Sequence, residues 1–161
     1  MLKKMGMLVW VFSALIGSSH TSSAETDRNQ QLALDQKHAT QVLDNTLFER
    51  LGGMPVIQLV VDEFIDQVAA APKTKRSFEG IKLPSLKESV SLHLCQLTGG
   101  GCQYEGETME NAHHDAEITE AEFEAFVEMF RTVLSRHVGT REKNELLKIL
   151  APMKRQIVHK R

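Results

Sequence analysis

Beyond Asp44, apolar residues recur at three- and four-residue intervals along most of the chain. Ile57, Val60, Val61, Phe64, Ile65 and Val68 fall on one face of a helix that Pro55 opens and Pro72 ends. Leu83, Leu86, Val90, His93, Leu94 and Leu97 form a second stripe, opened by Pro84 and closed by Gly99-Gly100-Gly101. A third runs through Phe123, Phe126, Val127, Phe130, Val133 and Leu134, with Gly139 at its end. A last helix, capped by Thr140, places Leu146, Leu147, Leu150 and Ile157 inside, and Pro152 kinks it. Two Thr-x-x-Glu boxes mark helix starts. Thr46 to Glu49 precedes a short helix stopped by Gly52-Gly53; Thr119 to Glu122 opens the third stripe. No stretch alternates as a strand does. The pattern predicts an all-α domain of about five helices, with 102–118 as one long irregular connection.

The first residues follow a different rule. Lys3 and Lys4 precede the uncharged apolar run Met7 to Gly17, and Ser22-Ser23-Ala24 offers small residues for cleavage. Residues 1–24 therefore read as an export signal. The run falls short of the roughly 20 residues a membrane-spanning helix needs, which argues against the alternative of an uncleaved anchor. The mature chain is expected outside the cytoplasm, in the periplasm, free of the membrane. Residues 25–44 are polar and without period, the pattern of a flexible leader. The helical domain is then 45–161.

Composition changes this picture little. With 161 residues the chain has room for one domain with a real core. A net charge of −2 gives no excess of positive charge for a nucleic-acid partner. Export does change how Cys95 and Cys102 read, because an oxidising compartment permits a disulfide. A bond across the three glycines and two separately placed thiols both remain open, since spacing alone cannot set the geometry.

Candidate chemistry concentrates in histidines. Of the seven, His20 belongs to the signal, His38 to the leader and His159 to the terminus. His137 stands in the last turn of a helix, where a cation suits the dipole. His113 and His114 sit in the irregular segment between the apolar anchors Met109 and Ile118. Neighbours on a helical turn point about 100° apart, so only one of them can face a single site. His93 lies on an apolar stripe, either as a core histidine with a hydrogen-bonded partner or as a polar group or ligand facing a cavity. There is no His-Glu-x-x-His, cysteine–histidine zinc spacing, phosphate loop, nucleophile elbow or Cys-x-x-Cys-His.

The ordered set "LFERLGGMPVIQLVVDEFIDQV", "SFEGIKLPSLKESV", "LTGGGCQYEGETMENAH", "ITEAEFEAF" and "LAPMKRQIV" resembles the truncated haemoglobins of the first group, from about Asn45 to Val158. The resemblance implies a two-over-two helical sandwich around haem b. It assigns the proximal iron ligand to His113, with Met109 before it and Ile118 after it, and leaves His114 pointing away. Phe78 matches the family's phenylalanine on the haem face, and Tyr104 supports the pocket. Ile65 stands where the family usually has a tyrosine that donates to bound oxygen, and Leu86 and Val90 stand where polar groups are common. The usual donors are therefore absent. The resemblance implies an apolar distal wall, faster oxygen release and easier oxidation, with His93 as one compensating donor or sixth ligand. The expected function is reversible binding of a diatomic gas: oxygen, nitric oxide or carbon monoxide. Nitric oxide dioxygenation, thought to occur in some members of the family, would need a stable oxy form and an electron donor whose identity the chain does not reveal. A haem carrier or redox sensor using the Cys95–Cys102 pair is the alternative.

Overall fold

A computed structural model describes residues 23–159, so the expected export signal lies outside the described residues apart from Ser23 and Ala24. The chain divides into two units, residues 1–40 and 41–161. The segment read as a flexible leader is helical, forming α1 (Ser23–Asp44). An apolar period reports a buried stripe, and a helix without such a stripe leaves no period to read. Local chemistry supports it instead, through good helix formers and a bond from Gln31 Nε2 to Asp35 Oδ1 one turn on, at 3.2 Å.

The second unit is built from α2 (Leu47–Leu51), α3 (Gly53–Ala70), α4 (Leu83–Leu97), α5 (Met109–His113), α6 (Glu120–His137), α7 (Thr140–Leu150) and α8 (Lys154–Ile157). Short 3-10 turns at Lys75–Phe78, His114–Ala116 and Ala151–Met153 join them, and no strand occurs among the described residues. Both capping boxes form: Thr46 and Thr119 accept from the backbone N–H of Glu49 and Glu122, whose carboxylates return the bond. Gly52 adopts φ 100°, a left-handed conformation that costs glycine little, and so closes α2 and turns directly into α3. Helix α3 thus starts two residues before Pro55. Gly139, not Thr140, is the N-cap of α7. Pro152, expected to kink one last helix, instead separates two: α7 ends at Leu150, and a 3-10 turn leads to α8.

Helix α3 is the centre of the core. All six residues of its predicted face are buried, and Val61 and Val68 are wholly so. It packs on α4 on one side and α6 on the other. Phe64 meets Phe126 edge-on at 4.5 Å between ring centres and Phe130 at 4.7 Å. Polar pairs fasten the outside: Glu63 of α3 makes an ion pair with Arg136 and a hydrogen bond with His137 of α6, and Arg50 of α2 reaches Glu142 and Glu145 of α7. The hydrogen bond from His137 lowers the Glu63 pKa, with Arg136 adding to it.

The two cysteines form a disulfide, Cα to Cα 5.8 Å. It closes the end of α4 onto the chain that follows the three glycines. Gly100 is required there: a Cβ would lie 2.5 Å from Cys95 Sγ and 2.5 Å from Phe48 Cδ2.

Candidate functional site

The α6 stripe divides along its length. Val133 and Leu134 finish the core, whereas Phe123, Phe126 and Val127 face a cavity of about 620 Å³. Phe64 of α3, Leu86, Val90 and His93 of α4, and Leu147 and Leu150 of α7 line it as well. Phe78, from the 3-10 turn, completes this apolar enclosure. Arg76 in the same turn makes a two-toothed ion pair with Glu122 at 2.6–2.9 Å and donates to the Ala116 carbonyl at 3.2 Å. These bonds tie Phe78 to the start of α6 and to the segment after His113. Burial opposes ionisation of Glu122, but the Thr119 bonds and Arg76 outweigh it and hold the carboxyl below its ordinary pKa.

His113 is not in irregular chain, as its sequence suggested. It is the last residue of α5, a short helix capped by the Thr108 hydroxyl, which accepts from the Asn111 N–H at 3.2 Å. Thr108-x-x-Asn111 was a start signal too short to show a period. The helix turn brings His113 Nδ1 to 2.7 Å from the Met109 carbonyl oxygen. With Nδ1–H donating there, Nε2 keeps its lone pair, the form in which imidazole binds a metal. His113, the Met109 side chain and Ile118 all line the cavity. His114 lies outside it, exposed, with its Nδ1 paired to Asp115 Oδ1 at 2.9 Å; that bond raises its pKa.

Two cavity-lining side chains carry buried polar atoms without a protein partner: His93 Nε2 and Ser77 Oγ. Each such atom is expensive in a folded chain, about 1–3 kcal/mol. The His93 ring lies 4.5 Å from the Tyr104 ring, inclined at 57°, and burial lowers its pKa. Ser77 and this pairing were not visible in the sequence, because a lone serine carries no periodic signal.

Ile65 departs from its expected place. It is buried at 2% exposure but belongs to the core cluster, and Phe64 rather than Ile65 lines the cavity. Consecutive helical residues point about 100° apart, so Phe64 can reach the cavity from the buried face while Ile65 beside it does not. Glu107, Glu122, Arg131 and Lys154 are the charged members of the lining, and Glu107 and Arg131 are exposed to solvent.

A haem suits these residues. The cavity lies within the 300–1,000 Å³ of ordinary cofactor sites, and its walls are mostly apolar. No group of three or more His, Cys, Asp or Glu that could hold a bare ion occurs among the described residues. A single oriented imidazole matches a metal that arrives already held by a macrocycle.

The family model for bacterial-like globins matches residues 46–159. The chain is a bacterial-like globin. The globin is 26% identical over 117 residues to the group 1 truncated hemoglobin GlbN of a Nostoc species, covering 72% of this chain and 99% of that one. The group 1 truncated hemoglobin of Tetrahymena pyriformis is 25% identical over 117 residues, covering 71% and 96%. The crystal structure of the truncated hemoglobin from that organism in its Fe(III) form superposes with a TM-score of 0.68 over 72% of this chain and 100% of the other. The 2/2 hemoglobin of a Synechococcus species, solved in the cyanomet state with covalently attached heme, gives 0.67 at 24% identity over 71% and 98%, a likeness of fold. The all-α architecture is therefore that of the truncated 2/2 globins, and haem binding follows from the family.

Proposed function

We propose that this globin binds haem b through His113 and takes up a diatomic gas reversibly on the other face of the iron. The observation that carries the reading is the His113–Met109 hydrogen bond at 2.7 Å beside an apolar cavity. It sets the tautomer and the orientation of the imidazole before any cofactor enters, and so favours binding through Nε2. Haem would supply an iron that His113 would hold and that would bind a diatomic gas. Phe78, Phe123 and Met109 would offer apolar surface to the macrocycle and keep water from it. Arg131 and Lys154 bring cations to the lining, which suits a group that carries carboxylates. Leu86 and Val90 present an apolar wall to the gas.

The N-terminal charge and apolar pattern, together with the Cys95–Cys102 disulfide, support export to the periplasm, where such bonds persist. The test of the haem reading is an absorption spectrum of the purified chain with haem, ferric and ferrous, beside His113→Ala. A Soret band that collapses or shifts in the variant establishes haem and its ligand together. A wild type that retains no haem, or a variant with an unchanged spectrum, removes the proposal.

A further inference from the structure

The turn that follows His113 is held against its own preference. His113 ends α5 with φ −113° and ψ 0°, and a 3-10 turn over His114–Ala116 comes next. Glu117 then adopts φ 46° and ψ 47°, the left-handed region that a Cβ disfavours. Among the described residues it is the one non-glycine with a positive φ. Such a conformation persists where the surrounding bonds over-determine it. Two bonds do so here, one on each side of Glu117. The Ala116 carbonyl accepts from Arg76 Nη1 at 3.2 Å, and the Ile118 carbonyl accepts from the His159 N–H at 3.1 Å. Both donors come from segments far from this turn in sequence.

Arg76 is fixed at both ends. Thr74, two residues before it, is buried and donates its hydroxyl to the Val68 carbonyl at 2.6 Å, and the Lys75 N–H donates to the Ala71 carbonyl at 2.9 Å. The base of the arginine is thereby rooted on the end of α3. At its tip, Nε and Nη2 fork onto the Glu122 carboxylate at 2.6–2.9 Å. That carboxylate is itself held by the Thr119 N–H at 2.9 Å and the Thr119 hydroxyl at 2.8 Å. A planar fork on a fixed carboxylate keeps little freedom, so Nη1 offers its N–H to Ala116 in one direction. The arginine side chain is 54% exposed, and a pair so placed adds little to overall stability; its effect is on position. Phe78 stands two residues after Arg76, and His113 three residues before Ala116, and both line the cavity. One side chain therefore holds the aromatic wall and the imidazole wall in register.

We propose that Arg76 is a positioning residue for the bond between His113 and iron: it holds the strained turn after His113 to the Phe78 turn and so limits the orientations open to the imidazole. The inference rests on the haem reading above, and its test separates the two. The full chain, loaded with haem, is compared as wild type, Arg76→Met and Arg76→Lys. The readouts are haem content, melting temperature, amide hydrogen exchange in residues 114–118, the iron–histidine stretching band of the ferrous ligand-free protein, and the rate of haem transfer to excess apomyoglobin. Arg76→Met is expected to take up haem and to melt near the wild type. Its exchange in 114–118 and its haem transfer should both quicken, up to about tenfold, the factor one lost hydrogen bond supplies. Its iron–histidine band should shift or broaden, because the imidazole then takes more than one orientation. Arg76→Lys, which keeps the charge but not the fork, is expected to fall between the two. An unmoved band in haem-loaded Arg76→Met overturns the proposal, whatever the melting temperature, and leaves the haem reading intact. If Arg76→Met holds no haem, an unmoved band in Arg76→Lys overturns it in the same way. A wild type that holds no haem removes both readings at once.

Discussion

Breaking the Cys95–Cys102 bond perturbs a short loop whose closure is worth a calculable amount. The two residues are seven apart in sequence. Constraining a loop of that size in the unfolded chain gives about 2.4 kcal/mol of stability in the chain-entropy model. For a domain of this size about 4 °C accompanies each kcal/mol, so reduction should lower the melting temperature by ~10 °C. The assay is a far-ultraviolet circular dichroism melt with and without reductant, at equal haem content, because bound ligand raises apparent stability by mass action. A Cys95→Ala/Cys102→Ala variant serves as control. Cys95 is fully buried, so this variant also loses side-chain contacts and should melt at or below the reduced wild type. It should not respond to reductant at all. If thiol labelling shows the bond open and the wild-type melt is unmoved, the unfolded chain is already held compact there and the loop-closure argument fails.

Three further outcomes follow from the same contacts. Gly100→Ala forces a methyl against Cys95 Sγ and the Phe48 ring, and should cost about 1–3 kcal/mol, read as a lower denaturant midpoint at unchanged slope. Thr119→Ala removes the capping box of α6, and should cost about 1 kcal/mol in the same titration, whereas Thr119→Ser should recover most of it. The third concerns acid. Burial sets the folded pKa of His93 below the ordinary 6.5, so the unfolded chain takes up the proton first as pH falls. Stability that is complete above about pH 6.5 should decline progressively below it. His93→Leu should flatten that part of the profile in urea titrations at stepped pH. An equal slope in the variant would mean that other groups carry the acid sensitivity.

Much of this architecture could be read before any coordinates. Helix α3 buries all six residues that share its stripe, and both Thr-x-x-Glu boxes cap the helices they precede. Those features are local: a helical period and a cap bond involve residues within one or two turns, so the order of side chains determines them. The ordered motifs also singled out His113 rather than His114, and the structure places the first on the cavity and the second in solvent.

Tertiary structure decided the rest, and in each case the cause is a distance between segments far apart in the chain or a helix too short or too solvated to show a period. The described side chains of α1, residues 27–37, are all exposed, and α5 has only five residues, so neither produced a pattern. The disulfide depended on how the three glycines return the chain to the end of α4. Both Phe64 and Ile65 belong to the core, but only Phe64 also lines the cavity, because the positions of α4 and α6 set which side of α3 meets it. His93 showed on the sequence only as a histidine on an apolar stripe. Its unpartnered Nε2 exists because no packed neighbour from any other helix supplies an acceptor or donor, and only the assembled cavity reveals that.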